Sequence, residues 1–400
     1  MEPISRQFDV VIVGAGIIGL TLAAAIKRYR STYKIAIIDK EGSYARHASG
    51  RNSGVIHAGI YHSQDSLKGQ LTHRGNILLK EFCKSRNISV NECGKLVVAQ
   101  NNDDIAGLEL LFKRSKENEV DAQMISESEA QAREPFVKTY DRALFVKESA
   151  SVDPIQVCEA LFVELKEMGV EFFFNTKFFR RDSVSSFVDI TGNAFHYELL
   201  INTAGLCADT IAKSFGIADE YTVLPFKGVY LKYLDRNFVK HHIYPVPNLE
   251  MPFLGVHFTV SVDGEILIGP TAIPAFWKEN YKGFQNFNFS EYKETLYFDG
   301  KLFMQNKNSF RKFAIEELRK LHSSYLIRTA NQLVRNLNPN KVIKSDHVGI
   351  RAQLIDNRTL ELVKDFKVIK EEKVIHILNS VSPGFTSSFA FAEYVVKKFI

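Results

Sequence analysis

VVIVGAGIIGLTLAAAI, residues 10–26, carries no charged residue and is nearly long enough to cross a bilayer. Its two halves keep different periods. VVIV before Gly14 is β-branched and reads as a buried strand, while IIGLTLAAAI after Gly16 reads as a buried helix. Gly14, Gly16 and Gly19 give the spacing GxGxxG at the junction. The first glycine makes the turn, the second lets backbone approach a pyrophosphate, and the third lets helix and strand pack closely. Phosphate charge would rest against the N–H groups at the helix N-terminus. The stretch therefore opens a dinucleotide-binding βαβ unit and is not a membrane span.

Working outward, Lys34 to Asp39 reads as the second strand. Asp39 stands 20 positions beyond Gly19, where a carboxylate would hydrogen-bond a ribose diol. This spacing does not separate NAD from FAD, but the residues after it do. NAD dehydrogenases usually continue with further βα repeats, whereas this chain runs from Lys40 into SYARHASGRNSGVIHAGIY. Later, INTAGLCADTIA has a strand ending at Ala204-Gly205 before a helix, placed to pass the same dinucleotide. Near residue 383, NSVSPGFTSSFAFAEYV sets Pro383 and Gly384 ahead of a long helix. Its N-terminal dipole could face the pyrimidine end of a flavin. No second GxGxxG occurs, which disfavours NAD(P) as electron acceptor.

The 400 residues are 45% hydrophobic and 24% charged, an ordinary globular composition with room for two interleaved domains. The net charge is +5, with no block of lysine and arginine dense enough for a nucleic-acid arm. No nucleic-acid partner is expected, while contact with anionic substrates or peripherally with a membrane is permitted. Cys83, Cys93, Cys158 and Cys207 form no CxxC and no metal-ligand spacing. No metal is expected, and scattered thiols point to a reducing compartment, the cytoplasm or the inner face of its membrane. The opening MEPISRQ shows neither a secretory nor a transit pattern.

Further along, residues 63–86 and 103–119 read as helices, and GKLVVAQ (94–100) as a strand. SESEAQAREPF looks like short capped turns ended by Pro135, and Asp153-Pro154 starts a helix. VEFFFNTKFF (170–179) reads as one strand. Residues 221–273 are rich in strand formers with a turn at Asp263-Gly264, and 290–337 are largely helical. The α/β signals come in three pieces. The expected architecture is therefore α/β with α+β. A Rossmann-like FAD-binding domain (1–75, 150–215 and 340–400) is interleaved with an antiparallel-sheet substrate or cap domain (76–149 and 216–339).

RNSGVIHAGIY (51–61) joins loop-forming residues to apolar ones around His57. This stretch resembles the FAD-dependent D-amino-acid-oxidase-like (DAO) superfamily, and within it the branch that oxidises L-2-hydroxyglutarate. SGRNSGVIHAGIY, CGKLVVA, VLPFKGVY, IYPVP, PFLGVHFT, GEILIGPTA, GIRAQL and SPGFTSS carry the resemblance, in order, from near residue 47 to near 388. It implies FAD as cofactor. Gly14, Gly16, Gly19, Asp39 and the adjoining Lys40 would hold its ADP half. Ser49, Arg51, Asn52, Ser53 and Gly54 would line the flavin. Phe178 falls where the superfamily places a small branched residue whose backbone meets the adenine. Gly205, Pro383, Gly384 and Thr386 would close the site. Asp39 replaces a more usual glutamate, and Lys227 in PFKG stands where related sequences often carry arginine, so a bidentate carboxylate grip is not expected there.

The implied reaction is oxidation of a dicarboxylate, L-2-hydroxyglutarate, to 2-oxoglutarate, with electrons passed on to oxygen or a membrane quinone. It needs cationic donors for carboxylates and a base for the hydroxyl proton. Arg351 sits in an otherwise apolar stretch, where an incoming carboxylate is a natural partner. His57 and His257 are candidate bases, since imidazole can accept the proton as hydride leaves. His57 is favoured because its loop should pass the flavin. Tyr61, Tyr244 and Lys227 are candidates for orienting the distal carboxylate. Trp277 reads as a core residue. Other superfamily substrates, such as glycerol 3-phosphate or an amino acid, stay open, as does a non-catalytic flavin-binding redox module.

Overall fold

The structure, a computed structural model, describes residues 4–249 and 251–400. It divides into two compact units, each discontinuous in sequence. The first comprises residues 1–51, 154–224 and 352–400, the second 52–153 and 225–351. The expected first break near residue 75 falls instead at Arg51. The reason is local: Val55–Ile56 pairs with Ala150–Val152, which also pairs with Val90–Asn91.

In the first unit, strand Ser5–Val13 lies between Ala194–Asn202 and Ile35–Ile38, parallel to both, and Ile35–Ile38 is parallel to Glu171–Phe173. Strand Val374–Asn379 adds in parallel beyond Ala194–Asn202. The strands are buried on both faces, as their unbroken apolar runs dictate. Helices Ile17–Tyr29, Pro154–Glu167 and Gly384–Phe399 cover the sheet and one another. Register then does the positioning. Val13 is level with both Ile38 and Asn202, so Gly14, Asp39 and Thr203 all emerge at one C-terminal edge. Open α/β sheets bind ligands at that edge.

VEFFFNTKFF is not one strand. It divides into Glu171–Phe173 and Phe178–Ser183. Asn175 between them takes φ +53°, a conformation asparagine tolerates, and its N–H donates to the Glu41 carbonyl. SESEAQAREPF also forms more than turns. Ser126 and Glu129 make a capping box that starts helix Glu127–Arg133.

In the second unit the principal sheet runs Pro225–Tyr233 (the part of strand Tyr221–Tyr233 in this unit), Ile266–Gly269, His257–Val260, His242–Pro245, Lys95–Val98, Arg142–Val146, Ala122–Ser126. Alternation along these strands separates two faces. Leu96, Ile243, Phe258 and Ile268 point into an apolar core with Leu231, Phe238 and helix residues Leu326 and Ala330. The register places the other face. His242 is level with Lys95, and Ile243 with Phe258, so Tyr244 lies level with His257 one step along. Lys95, His242, Tyr244 and His257 thus share one face of the sheet, all of them buried.

Candidate functional site

The first unit holds the dinucleotide cradle. Gly14 has φ +110°, and a Cβ there would meet the Thr203 carbonyl oxygen at 2.7 Å. A Cβ on Gly19 would meet the Gly14 carbonyl oxygen at 2.1 Å. One on Gly16 would stand 2.9 Å from Ser49 Oγ, which itself accepts the Ile17 N–H at 2.9 Å. Gly14 and Gly19 are required by backbone contacts, whereas a side chain at Gly16 would press on the Ser49 hydroxyl. The helix they open has no acidic residue in its first turn, leaving its positive end available to phosphate. Asp39 Oδ2 accepts the Ala15 N–H at 2.8 Å and Oδ1 accepts the Glu41 N–H at 2.9 Å. Burial raises the Asp39 carboxyl, and these two N–H donors oppose the shift. The side chain is therefore fixed at the end of its strand.

Lys40 bonds with Glu41 and His47, and Arg51 Nε donates to the Arg46 carbonyl at 2.8 Å. Phe178 packs its ring between Phe187 and Phe215, leaving only its backbone for a neighbouring ligand. Gly205, at φ +54°, begins a short 3-10 turn after strand Ala194–Asn202. Pro383 precedes helix Gly384–Phe399, whose first turn is also free of acidic residues and whose Thr386 is fully buried. These residues fit FAD: Gly14 and Gly19 leave no room for a side chain, Gly16 leaves room only if Ser49 yields, and two helix N-termini carry no competing carboxylate.

The second unit holds the loop that follows Arg51 and the polar sheet face. Asn52 Oδ1 accepts the Gly54 N–H at 2.9 Å, and Ser53 hydrogen-bonds with the Tyr230 hydroxyl. Residues 57–62 are pinned from outside. Asn76 Nδ2 donates to the His57 carbonyl, Arg114 to that of Tyr61, and Asn118 to those of Gly59 and His62. Side chains thus satisfy a buried backbone that forms almost no regular structure.

On the sheet face, His257 stacks on Tyr244 with ring centroids 3.7 Å apart. Lys95 Nζ lies 4.2 Å from the Tyr244 ring centroid and 5.1 Å from that of Tyr61. Burial, reinforced by the Lys95 charge, holds His57 and His257 well below the usual histidine range and His242 near about 3. All three imidazoles are neutral. Their tautomers differ in consequence. His242 Nδ1 accepts the Val260 N–H and its Nε2 sits 3.3 Å from the Ala150 carbonyl, so both nitrogens are used structurally. His257 Nδ1 is 2.9 Å from the Gly255 carbonyl, which can only accept. The proton therefore sits on Nδ1, and Nε2 keeps its lone pair.

Arg351, the last residue of this unit, stands 5.3 Å over the Phe253 ring, and burial brings its guanidinium down to about 10. Burial, with the charges of Lys68 and Arg351, holds His62 near about 3. Lys227 donates to Asn280 Oδ1 at 3.0 Å, and burial lowers its amine. Trp277 is buried, as a core residue should be. Lys95 and His242 are the members of the polar face that motif reading passed over, and Lys95 left the clearer trace. Its signal was a lysine directly ahead of LVVA, where strand alternation should place a buried side chain.

The chain matches a family model described as FAD dependent oxidoreductase over residues 9–398. It is 34% identical over 404 residues to an L-2-hydroxyglutarate dehydrogenase from Indibacter alkaliphilus, covering 98% of this chain and 100% of that protein. To the L-2-hydroxyglutarate dehydrogenase of Escherichia coli it is 31% identical, with coverages of 98% and 93%. Among solved structures, L-alpha-glycerophosphate oxidase from Mycoplasma pneumoniae with FAD bound superposes with a TM-score of 0.73. At 23% identity, over 98% of this chain and 94% of that one, it shares the fold.

Proposed function

Because the chain belongs to the FAD-dependent oxidoreductase (DAO) family and is an enzyme with FAD as its cofactor, we propose that it oxidises L-2-hydroxyglutarate to 2-oxoglutarate. Relatives of 31% and 34% identity along nearly its whole length bear that substrate in their names. The observation that carries the reading is the His257 tautomer. A buried neutral imidazole with Nδ1–H donated to Gly255 leaves Nε2 as a proton acceptor. Its ring is kept in orientation by Tyr244.

FAD, when bound, supplies the acceptor for the hydride leaving C2 of the hydroxy acid. The chain supplies the rest. Arg351 holds the C1 carboxylate with its planar pair of donors. His257 takes the hydroxyl proton, and His57, equally neutral, borders the same chemistry from its pinned loop. Tyr61 and Tyr244 shape the far end of the substrate site. Gly14, Gly16, Gly19 and Asp39 would hold the ADP half of the cofactor, and Ser49 to Gly54 and the 383–386 segment would bind its flavin.

Oxygen or a membrane quinone takes the electrons onward. Contact with an anionic membrane is supported by helix Phe289–Gln305, whose Phe289, Lys293, Tyr297 and Lys301 form a row at spacing four. Lys293 lies 4.4 Å over Phe289 and Lys301 4.2 Å over Tyr297. Among the described residues no helix is long and apolar enough to cross a membrane.

Anaerobic mixing tests the function. L-2-hydroxyglutarate should bleach the flavin absorbance and yield one 2-oxoglutarate per flavin. Bleaching by glycerol 3-phosphate or an amino acid, with none by L-2-hydroxyglutarate, would replace this substrate by that one.

A further inference from the structure

We propose that Lys95 is the receptor for the second carboxylate of a dicarboxylic 2-hydroxy acid, and so sets the preference of the site over monocarboxylic analogues. This deepens the reading of the site given above and rests on it. A dicarboxylate needs two cationic receptors; on the strands of this unit Lys95 is buried and Arg351 is desolvated, while the other buried lysines, Lys68 and Lys278, lie off the sheet.

Lys95 is 1% exposed. No carboxylate pairs with it among the described residues, and Cys93 is the one group whose charge favours its protonated form. A buried ammonium with no anion is costly and gives up its proton readily, and an arriving carboxylate would restore its charge. Its flanking rings keep it in place. Tyr244 and Tyr61 offer π faces on which the cation rests, at 4.2 and 5.1 Å from their centroids. The Tyr61 hydroxyl is buried with no hydrogen-bond partner among the described residues. A carboxylate reaching Nζ could accept that hydroxyl as well. Lysine and phenol together would satisfy both its oxygens, and each would lose its own burial penalty.

The charge neighbourhood makes this testable in the wild-type holoenzyme. The groups whose charges reach this cluster include His57, His62, His242, His257, Tyr61, Tyr230, Tyr244 and Cys93. The histidines are held low, the tyrosines are pushed up, and burial takes Cys93 to about 11. Burial brings Lys95 itself down to about 7. Between pH 6 and 9 it is the one member of this cluster that titrates.

Calorimetric titration compares glutarate with pentanoate, which has the same carbon chain and a single carboxylate. Glutarate affinity should fall roughly tenfold per pH unit above about 7, as the ammonium is lost, while pentanoate affinity stays level. Parallel pH profiles for the two ligands would overturn the assignment. In Lys95→Met, the ratio of kcat/KM for L-2-hydroxyglutarate over L-2-hydroxypentanoate should drop on the order of 100-fold. Equal losses on both substrates, with the ratio kept, would mark Lys95 as a structural residue only. A wild-type enzyme whose flavin is untouched by L-2-hydroxyglutarate, but which binds glutarate with this pH profile, would fail the substrate reading and support the Lys95 assignment.

Discussion

His257 and Tyr244 stack with only 15° between their ring planes. They lie level on adjacent antiparallel strands, and the tyrosine sets the plane in which the imidazole can present Nε2. The Gly255 carbonyl at 2.9 Å fixes rotation within that plane. His257→Ala should therefore lower kcat by roughly 100- to 10,000-fold with a smaller change in KM. Tyr244→Phe, which keeps the ring, should lose far less than Tyr244→Ala. Stopped-flow reduction of the flavin measures this directly. If His57→Ala produces the large loss and His257→Ala does not, the proton acceptor is His57.

His57 and His257 together predict a pH profile. Burial depresses both imidazoles, so the neutral, proton-accepting form persists above their low folded values and is lost only well into the acid range. The rate of flavin reduction should show no histidine inflection between pH 6 and 8. A drop in rate centred near 6.5 would mean that the base titrates as a solvated histidine and lies elsewhere.

Arg351 presents a different balance. Burial lowers its guanidinium only to about 10, so it stays charged at any working pH. Arg351→Lys keeps charge but loses the planar two-pronged contact, and should raise KM roughly 10- to 100-fold. Arg351→Ala should add a loss in kcat, because the C1 carboxylate also aligns the reacting carbon. Steady-state kinetics with unchanged KM in both variants would remove Arg351 from the carboxylate site.

Much of this was legible from residue order alone, for reasons that differ by element. The Gly14–Gly16–Gly19 cradle and Asp39 are local: spacing within one βαβ unit places them, so sequence suffices. The break at residue 174 was not legible, because it depends on Asn175 and Thr176 docking their N–H groups on the Glu41 and Asp39 carbonyls, which are far away in sequence. Lys95 escaped for a related reason. Its chemistry comes from strands 242–245 and 257–260 lining up beside it, and register across three separated segments cannot be read from any of them singly. The loop 51–61 announced that it was special, but the asparagines that hold it, Asn76 and Asn118, stand in ordinary helical surroundings.

Gly19 tests the cofactor cradle. A Cβ there would lie 2.1 Å from the Gly14 carbonyl oxygen and 2.9 Å from Thr203 Oγ1, and backbone cannot yield as a flexible side chain would. Gly19→Ala should push the helix off the strand, and the purified protein should hold little FAD and melt several degrees lower. Gly16→Ala meets Ser49 Oγ at 2.9 Å, the end of a side chain that can turn at the cost of its own hydrogen bond, so it should keep the fold. Its cost should fall on FAD affinity, because Ser49 would lose the Ile17 N–H. FAD content and thermal melting with and without added FAD separate the two. A Gly19→Ala protein with full FAD content and unchanged melting would contradict the close packing.

Helix Phe289–Gln305 supplies the last test. Phe289 is 59% exposed, Tyr297 55% and Met304 70%, and Phe284 just before the helix reaches 86%. Lysines lie over two of these rings, so a cation and an apolar ring are presented together at each step of the i, i+4 row. Such a row gains twice at an anionic bilayer: the rings enter the interface and the ammonium groups meet lipid headgroups. The holoenzyme should sediment with vesicles containing phosphatidylglycerol, less so with neutral vesicles, and increasingly little as salt is raised. Reversing Lys293 and Lys301 to glutamate should reduce this sedimentation several-fold while flavin reduction by substrate keeps its rate. Sedimentation that ignores lipid charge and both lysines would mean this helix does not meet the membrane.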